Sequence, residues 1–168
     1  MKFCAIICEL NPLTNGHKYI MEQAKKQTKL PLIALTSGQF CQRGEMAILS
    51  KQQRAKNAIE AGADVCLELP FIYATSVAEI FALGAVKILN NLKCIDSLVF
   101  GIEWPNFCDL EQIAHFLSCP PKDFNEKLKE NLKLGGTYHT TLENTLAAFF
   151  INLDVKQILK GANITLKS

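Results

Sequence analysis

Residues Phe3 to Cys8 are six apolar residues in a row, and Glu9-Leu10-Asn11-Pro12-Leu13-Thr14-Asn15-Gly16-His17 follows them directly. That order constrains the fold more than any other feature of the chain. A strand without polar alternation is buried on both faces, and such strands belong to parallel sheets covered by helices. Pro12 has no N–H and stops a ladder. Asn15 suits the cap of a helix predicted over 17–28, and Gly16 lets another group approach the backbone closely. A strand, a tight turn and a helix N-terminus make a place to hold phosphate. The first N–H groups of a helix have no intrahelical partner, and its dipole favours an anion there. His17 adds a side-chain donor at that end.

Short apolar runs and longer periodic segments alternate through the rest of the chain. Strands are predicted over 2–9, 30–35, 64–69 and 97–100, and helices over 17–28, 51–61, 76–91, 106–117, 123–133 and 141–160. Ile20, Met21 and Ala24 share one face of the first helix. Ser50 suits the second helix's N-cap and Gly62 its end. The helix over 76–91 is apolar enough to pack on both sides. The connection 36–49 is long and polar, and such loops in compact domains are usually functional or mobile. The pattern predicts an α/β fold, a Rossmann-like doubly wound parallel sheet with a helical C-terminal part, as one domain over 1–168. Such sheets bind ligands outside the carboxyl ends of their strands. Segments 11–17, 37–43, 70–75 and 101–103 are therefore expected around one crevice.

The net charge of +2 is too small to argue for nucleic acid or an anionic membrane surface. Local clusters must carry any such contact. No secretory signal is evident and no apolar stretch reaches about 18 residues, so a cytoplasmic protein without a membrane span is expected. Seven cysteines lie at 4, 8, 41, 66, 94, 108 and 119. Cys4 and Cys8 are spaced C-x3-C with no second pair, which argues against zinc. Most read as small buried hydrophobes in a reducing compartment. Cys41, in the polar loop, is the one to watch for reactivity. There is no G-x-G-x-x-G after the first strand, no P-loop and no G-x-S-x-G elbow, which removes a conventional dinucleotide site, a P-loop NTPase and an α/β-hydrolase.

Thr14-Asn15-Gly16-His17 stands between strand and helix, where the nucleotidyltransferases of the HIGH superfamily carry (H/T)-x-G-H. Further blocks follow in order: Ser37-Gly38-Gln39-Phe40-Cys41-Gln42-Arg43-Gly44-Glu45, then Lys51 with Arg54-Ala55, then Gly62-Ala63-Asp64-Val65-Cys66-Leu67-Glu68-Leu69-Pro70, then Phe100-Gly101. In combination they resemble the tRNA(Met) cytidine acetate ligase family. The resemblance implies a HIGH-type nucleotidyltransferase fold and an ATP-dependent enzyme. It implies that acetate is activated as acetyl-adenylate with release of pyrophosphate. The acetyl group then passes to N4 of the wobble cytidine of elongator methionine tRNA.

Carried over by position, Ile7, Cys8, Glu9, Leu10, Asn11, Pro12, Leu13, Thr14, Asn15, Gly16, His17, Lys18, Tyr19 and Ile20 line the ATP site. Gly101 approaches the adenosine, and Asn163 matches a nucleotide-contacting asparagine. His17 is the expected catalytic donor. Thr14 contacts the phosphates or ribose through its hydroxyl, where many members have a second histidine. Attack of a carboxylate on the α-phosphate spreads negative charge, and donors fixed at a helix N-terminus stabilise it without reorganising. Mg²⁺ is expected to ride on the triphosphate, with no protein metal cage. Ser37, Gly38, Arg43, Lys51 and Arg54 are expected to contact phosphate or tRNA. Lys51 and Arg54, three apart, share a helix face; a solvated basic face is the alternative. Asp64 and Glu68 read as caps or edge contacts, His115 and His139 as structural or exposed. Trp104 reads as a rim or core residue, or as a base-stacking one.

Beyond 105 the resemblance is looser, resting on Gly135-Gly136-Thr137-Tyr138 and on 161–164. The family's second signature, a Ser/Thr-rich stretch ending in arginine, and its further C-terminal region do not occur within the 168 residues. Two other readings stay open: a HIGH-type nucleotidyltransferase with another acceptor, such as a phosphorylated cofactor precursor, and a non-catalytic nucleotide- or RNA-binding module.

Overall fold

The computed structural model describes residues 1–102 and 106–159. They divide into two compact units, the first ending at Gly101 and the second beginning at Ile102.

The first unit runs β1 (Phe3–Cys8), α1 (Asn15–Thr28), β2 (Leu32–Ser37), α2 (Lys51–Glu60), β3 (Val65–Leu69), α3 (Phe71–Ala74), α4 (Ala78–Asn91) and β4 (Ile95–Leu98). The sheet order is β3-β2-β1-β4 and every pairing is parallel. Parallel strands need long crossovers, and a right-twisted strand returns through a right-handed one. The chain steps β1 to β2 to β3 in one direction, so α1 and α2 share a face. It then reverses to reach β4, and α4 lies on the other face.

The strand side chains divide accordingly. Cys4, Ile6, Leu32 and Ala34 pack with Met21, Ala24 and Ala58. Ala5, Ile33, Leu35 and Leu69 pack with Phe81, Ala85 and Leu89. This is why β1 and β2 lack polar alternation. Each fully buried Leu or Ile contributes about 1.5–3 kcal/mol. The reversal puts the topological switch between β1 and β4, the place where sheets of this type bind ligands.

Several boundaries differ from the sequence reading. β2 starts after Pro31, whose carbonyl accepts from Cys4 N, and it extends to Ser37. The stretch 36–49 holds a 3-10 turn over Gln42–Gly44 and a bridge between Phe40 and Met46. Phe71–Ala74 is helical where only a strand end was expected. α4 buries Phe81, Gly84, Ala85 and Leu89, while Ile80, Leu83 and Val86 are exposed, so it packs on one face rather than two.

The second unit contains α5 (Phe107–Ser118), α6 (Lys122–Lys133) and α7 (Tyr138–Phe149). Ile113, Phe124, Leu128, Leu146, Val155 and Ile158 form its core. The helix expected over 141–160 is interrupted. α7 ends at Phe149, and a separate helical turn over 155–159 starts where Asp154 accepts from Gln157 N at 3.2 Å. An aspartate that bonds the backbone locally favours a helix start over a helix interior.

Candidate active site

The carboxyl ends of β1 and β2 gather most of the residues singled out in the sequence. Past Cys8 the chain turns through Leu10, a buried residue at φ 53. α1 then begins, and its cap is Thr14 rather than Asn15. The hydroxyl of Thr14 accepts from His17 N at 3.4 Å, and His17 reaches back to accept the Thr14 N–H on Nδ1 at 3.0 Å. This is a capping box with histidine in the place usually held by Glu or Gln. Thr14 wins because its extended backbone sets the turn into the helix, whereas Asn15 already has helical geometry. Since Nδ1 accepts a backbone N–H, the ring proton of the neutral imidazole is assigned to Nε2. His17 is 6% exposed. The Thr14 hydroxyl, expected on phosphate or ribose, also lies 2.8 Å from Nδ1, so it belongs to the cap.

Gly16 lies beside this corner. Among the described residues, and apart from its own helix backbone and chain neighbours, a Cβ on Gly16 would meet one atom within 4 Å, Thr14 Oγ1 at 3.6 Å. The protein's own packing does not demand a glycine there. The space favours close approach by something else.

Three contacts tie the second loop to the first. Thr36 Oγ1 donates to Glu9 O at 3.0 Å. The Glu9 carboxylate accepts from Gln42 N at 2.6 Å, and Asn11 Oδ1 accepts from Ile48 N at 2.8 Å. Phe40 packs edge-on against Phe71 with ring centroids 5.7 Å apart, which brings the segment after β3 to the same side. Gly101 lies past β4, the neighbour of β1 in the sheet.

Ser37 and Gly38 are buried, against the expectation that they contact phosphate or tRNA, and Arg54 departs from that expectation too. With Ala58, four residues on, it makes the buried stripe of α2, and it is 0% exposed. It cannot form an exposed phosphate- or tRNA-gripping face with Lys51. Its Nη1 donates to Glu9 O at 2.5 Å and to Ser37 Oγ at 3.1 Å. Its Nη2 donates to Ser37 O at 2.9 Å and to Gly38 O. Lys51 is exposed, as expected, and pairs with Glu68 at 2.8 Å. A Cβ on Gly38 would run into the Glu68 carboxylate, which accounts for the glycine. Glu68 is thus an edge contact, as read. Asp64 is one too: it accepts from Leu32 N at 2.7 Å and pairs with Lys25 at 2.9 Å. The Leu32 N–H first, then Lys25, holds its carboxyl below the usual range.

Cys41 is buried at 3% exposure beneath the loop, with its sulfur 3.6 Å from Ser37 Oγ, so the polar sequence around it misleads about access. Burial pushes the thiols of Cys8 and Cys66 up, with Arg54 pulling both back, so these groups stay protonated. Two clefts flank α2. One of about 300 Å³ is lined by Pro12, Leu13, Asn15, Lys18, Asn57, Glu60 and Ala61. Another of about 220 Å³ includes Thr36, Ser37, Lys51 and Glu68. The side chain of Arg43, together with Trp104 and Asn163, lies outside the described residues.

The geometry is that of a nucleotidyltransferase signature: a histidine fixed at N3 of the first helix, at the carboxyl end of the central strand. The family model described as HIGH Nucleotidyl Transferase matches residues 1–167. The chain belongs to the HIGH nucleotidyl transferase family. Among HIGH nucleotidyl transferase relatives it is similar to the tRNA(Met) cytidine acetate ligase of Caldanaerobacter subterraneus subsp. tengcongensis, at 44% identity over 97% of this chain and 41% of the relative. The protein of that name from Bacillus subtilis is 41% identical over 82% of this chain and 33% of the relative. The crystal structure of Thermotoga maritima TmcAL bound with alpha-thio ATP superposes with a TM-score of 0.88 and 35% identity, covering 99% of this chain and 41% of that one. The chain therefore spans about two fifths of the length of the relatives it matches most fully. No helix among the described residues is long and apolar enough to cross a membrane.

Sequence reasoning missed the carboxylate of Glu9 and the amide of Asn11 as loop ties. A carboxylate at the end of a buried strand was the available signal, because such a group needs a partner.

Proposed function

We propose that this chain is the ATP-binding catalytic core of a tRNA(Met) cytidine acetate ligase. The observation that carries the reading is the Thr14–His17 corner. An imidazole in one tautomer is held at the N-terminus of α1, at the carboxyl end of β1 beside the topological switch. Similarity to tRNA(Met) cytidine acetate ligases over 97% of the chain supports the choice of reaction. In this reading an acetate oxygen attacks the α-phosphorus of ATP, the bond to the bridging oxygen breaks, and pyrophosphate leaves. The amine N4 of the wobble cytidine of elongator methionine tRNA then attacks the acetyl carbonyl, the C–O bond to the phosphate breaks with its electron pair leaving on AMP, and N4 releases a proton.

The negative charge that grows on the α-phosphate meets the open end of α1 and the Nε2–H of His17. Loop segment 7–20 and Gly101 form the nucleotide pocket. Lys51, which is exposed, is the described residue left to contact the acceptor RNA, because Ser37 and Gly38 are buried. Mg²⁺, when bound with the nucleotide, would be held by the triphosphate's hard oxygen ligands and would supply charge neutralisation there.

ATP–pyrophosphate exchange by the 168-residue chain, with and without acetate, tests the reading. Acetate-dependent exchange is expected. Exchange that ignores acetate assigns a different acceptor, and ATP binding without exchange assigns a binding module.

A further inference from the structure

α4 turns an apolar stripe to water. A helix packed on a sheet buries one stripe and presents charged or polar residues on the other side. α4 buries Phe81, Gly84, Ala85 and Leu89. Its opposite side carries Glu79, Ile80, Leu83, Val86, Lys87 and Asn90, all exposed. Ile80, Leu83 and Val86 follow one another at three-residue steps and are 39%, 46% and 46% exposed. Exposed apolar side chains are ordinary when scattered, whereas a continuous stripe marks a place where something docks. α3 packs on α4, since a Cβ on Gly84 would run into the Tyr73 ring, and it carries two more exposed apolar residues, Phe71 and Ile72.

The charges identify the occupant. Glu79 and Lys87 stand at the two ends of the stripe, each four residues from Leu83, and residues 80–86 between them are uncharged. Neither enters an ion pair among the described residues. One negative and one positive charge cancel, so the face has no net attraction for RNA or for an anionic lipid surface. It does complement itself. Two copies related by a two-fold axis meet through the same patch on each. When the helices run antiparallel and the axis crosses at Leu83, that leucine meets its own copy. About 4.5 Å along the helix, Ile80 reaches the level of Val86 of the second copy, and about 6 Å along, Glu79 reaches the level of Lys87 of the second copy. Helices in contact lie about 8–10 Å apart, a gap that Glu and Lys side chains span together. The symmetry repeats the attraction at both ends. Parallel pairing would set Glu79 against Glu79 and Lys87 against Lys87.

We propose that the outer face of α4 is a homodimer interface, on which a second copy of this chain packs antiparallel across Leu83. Three apolar side chains at its centre make a small interface, so the dimer is a weak one. α1 and α2 lie on the other face of the sheet, so the Thr14–His17 corner is not covered by this pairing. The proposal stands apart from the nucleotide reading.

Sedimentation equilibrium of the 168-residue chain tests it, on the unaltered protein, Leu83→Lys, Glu79→Lys, Lys87→Glu and the double exchange of Glu79→Lys with Lys87→Glu. The unaltered chain is expected to pair with a dissociation constant of about 1–100 μM. Leu83→Lys is expected to weaken pairing about a hundredfold or more, because each dimer loses two central leucines and gains two facing ammonium groups. Each single charge reversal is expected to weaken it about threefold or more, and the double exchange to return within about twofold of the unaltered value. All three positions are exposed, so circular dichroism is expected to show the unaltered helix content; if Leu83→Lys loses helix, the charge reversals decide alone. A chain that stays monomeric up to about 1 mM overturns the proposal and leaves the face to a different partner. Pairing that a folded Leu83→Lys does not weaken lies elsewhere on the molecule and overturns it. A double exchange that pairs no better than either single reversal overturns the antiparallel arrangement, and the proposal with it.

Discussion

Replacing His17 by glutamine separates the two roles of that ring. The Thr14 N–H to Nδ1 bond, at 3.0 Å, anchors the start of α1. A neutral bond of this kind is worth about 1 kcal/mol net. Glutamine is an ordinary residue at this position of a capping box and reaches back in the same way. It also keeps most of the side-chain volume, so His17→Gln costs under about 1.5 kcal/mol. His17→Ala loses the bond and leaves a hole where the ring of a 6% exposed residue stood, about 2–4 kcal/mol in all. One kcal/mol moves the midpoint of a unit this size by about 4–8 °C, so the two variants should melt roughly 5–15 °C apart. Alanine supplies no N–H at the α-phosphate, and losing one such donor slows a reaction about 10²–10³-fold, so acetate-dependent exchange should fall by that factor in His17→Ala. Glutamine keeps an amide N–H but not the ring that fixes it, so exchange in His17→Gln should fall by less. Melting curves and exchange rates on the same preparations check this. A glutamine variant that exchanges at the unaltered rate removes the imidazole from the chemistry. One that melts with the alanine variant shows that the reach-back bond does not hold α1.

Gly16→Ala should stabilise the chain by about 0.5–1 kcal/mol, as alanine does over glycine inside a helix, because among the described residues beyond its own helix backbone and chain neighbours its Cβ meets only Thr14 Oγ1 at 3.6 Å. It should also weaken ATP binding, and calorimetry beside thermal melting checks the opposite signs. Asp64→Asn tests linkage: the folded carboxyl lies below its unfolded value of about 3.9, so its contribution is complete above that pH and is lost as pH falls through the folded value. The melting gap between Asp64→Asn and the unaltered chain should be flat from about pH 8 to 5 and close below about pH 4. Thiol labelling at neutral pH should modify the exposed Cys108 and Cys119 first. Cys8 and Cys66 should lag, because burial raises their thiols; peptide mapping of early adducts reads the order.

The sheet was legible because burial on both faces erases polar alternation: β1 is apolar throughout and β2 is apolar from Leu32 to Leu35. The Thr-Asn-Gly-His corner was legible because it is local: four adjacent residues carry the cap, the open backbone and the ring. Long-range geometry was not. Lys51 and Arg54 read as a pair from their spacing, yet Arg54 follows Ala58 into the core while Lys51 meets Glu68 outside. A three-residue spacing fixes a face only loosely, and acceptors such as Glu9 O and Gly38 O leave no trace in sequence. The break after Phe149 was hidden by an apolar rhythm that continues across it, although Asp154 was the available signal. α3 was missed because Phe71-Ile72-Tyr73-Ala74 has neither a capping side chain nor enough length for a period.

The two halves of the candidate site differ in how far apart in the chain their supports lie. The histidine corner closes over three residues, whereas the loop after β2 is tied to the segment after β1 by contacts spanning 33 and 37 residues. Closing a longer loop costs more entropy, and local structure forms without waiting for it. The corner can therefore exist as soon as α1 does, while the loop after β2 takes shape only once it has met the end of β1. A nascent or partly unfolded chain would carry the signature histidine in working order with nothing yet to hold its substrate. Activity then reports on completion of the last long-range contact rather than on the presence of the motif.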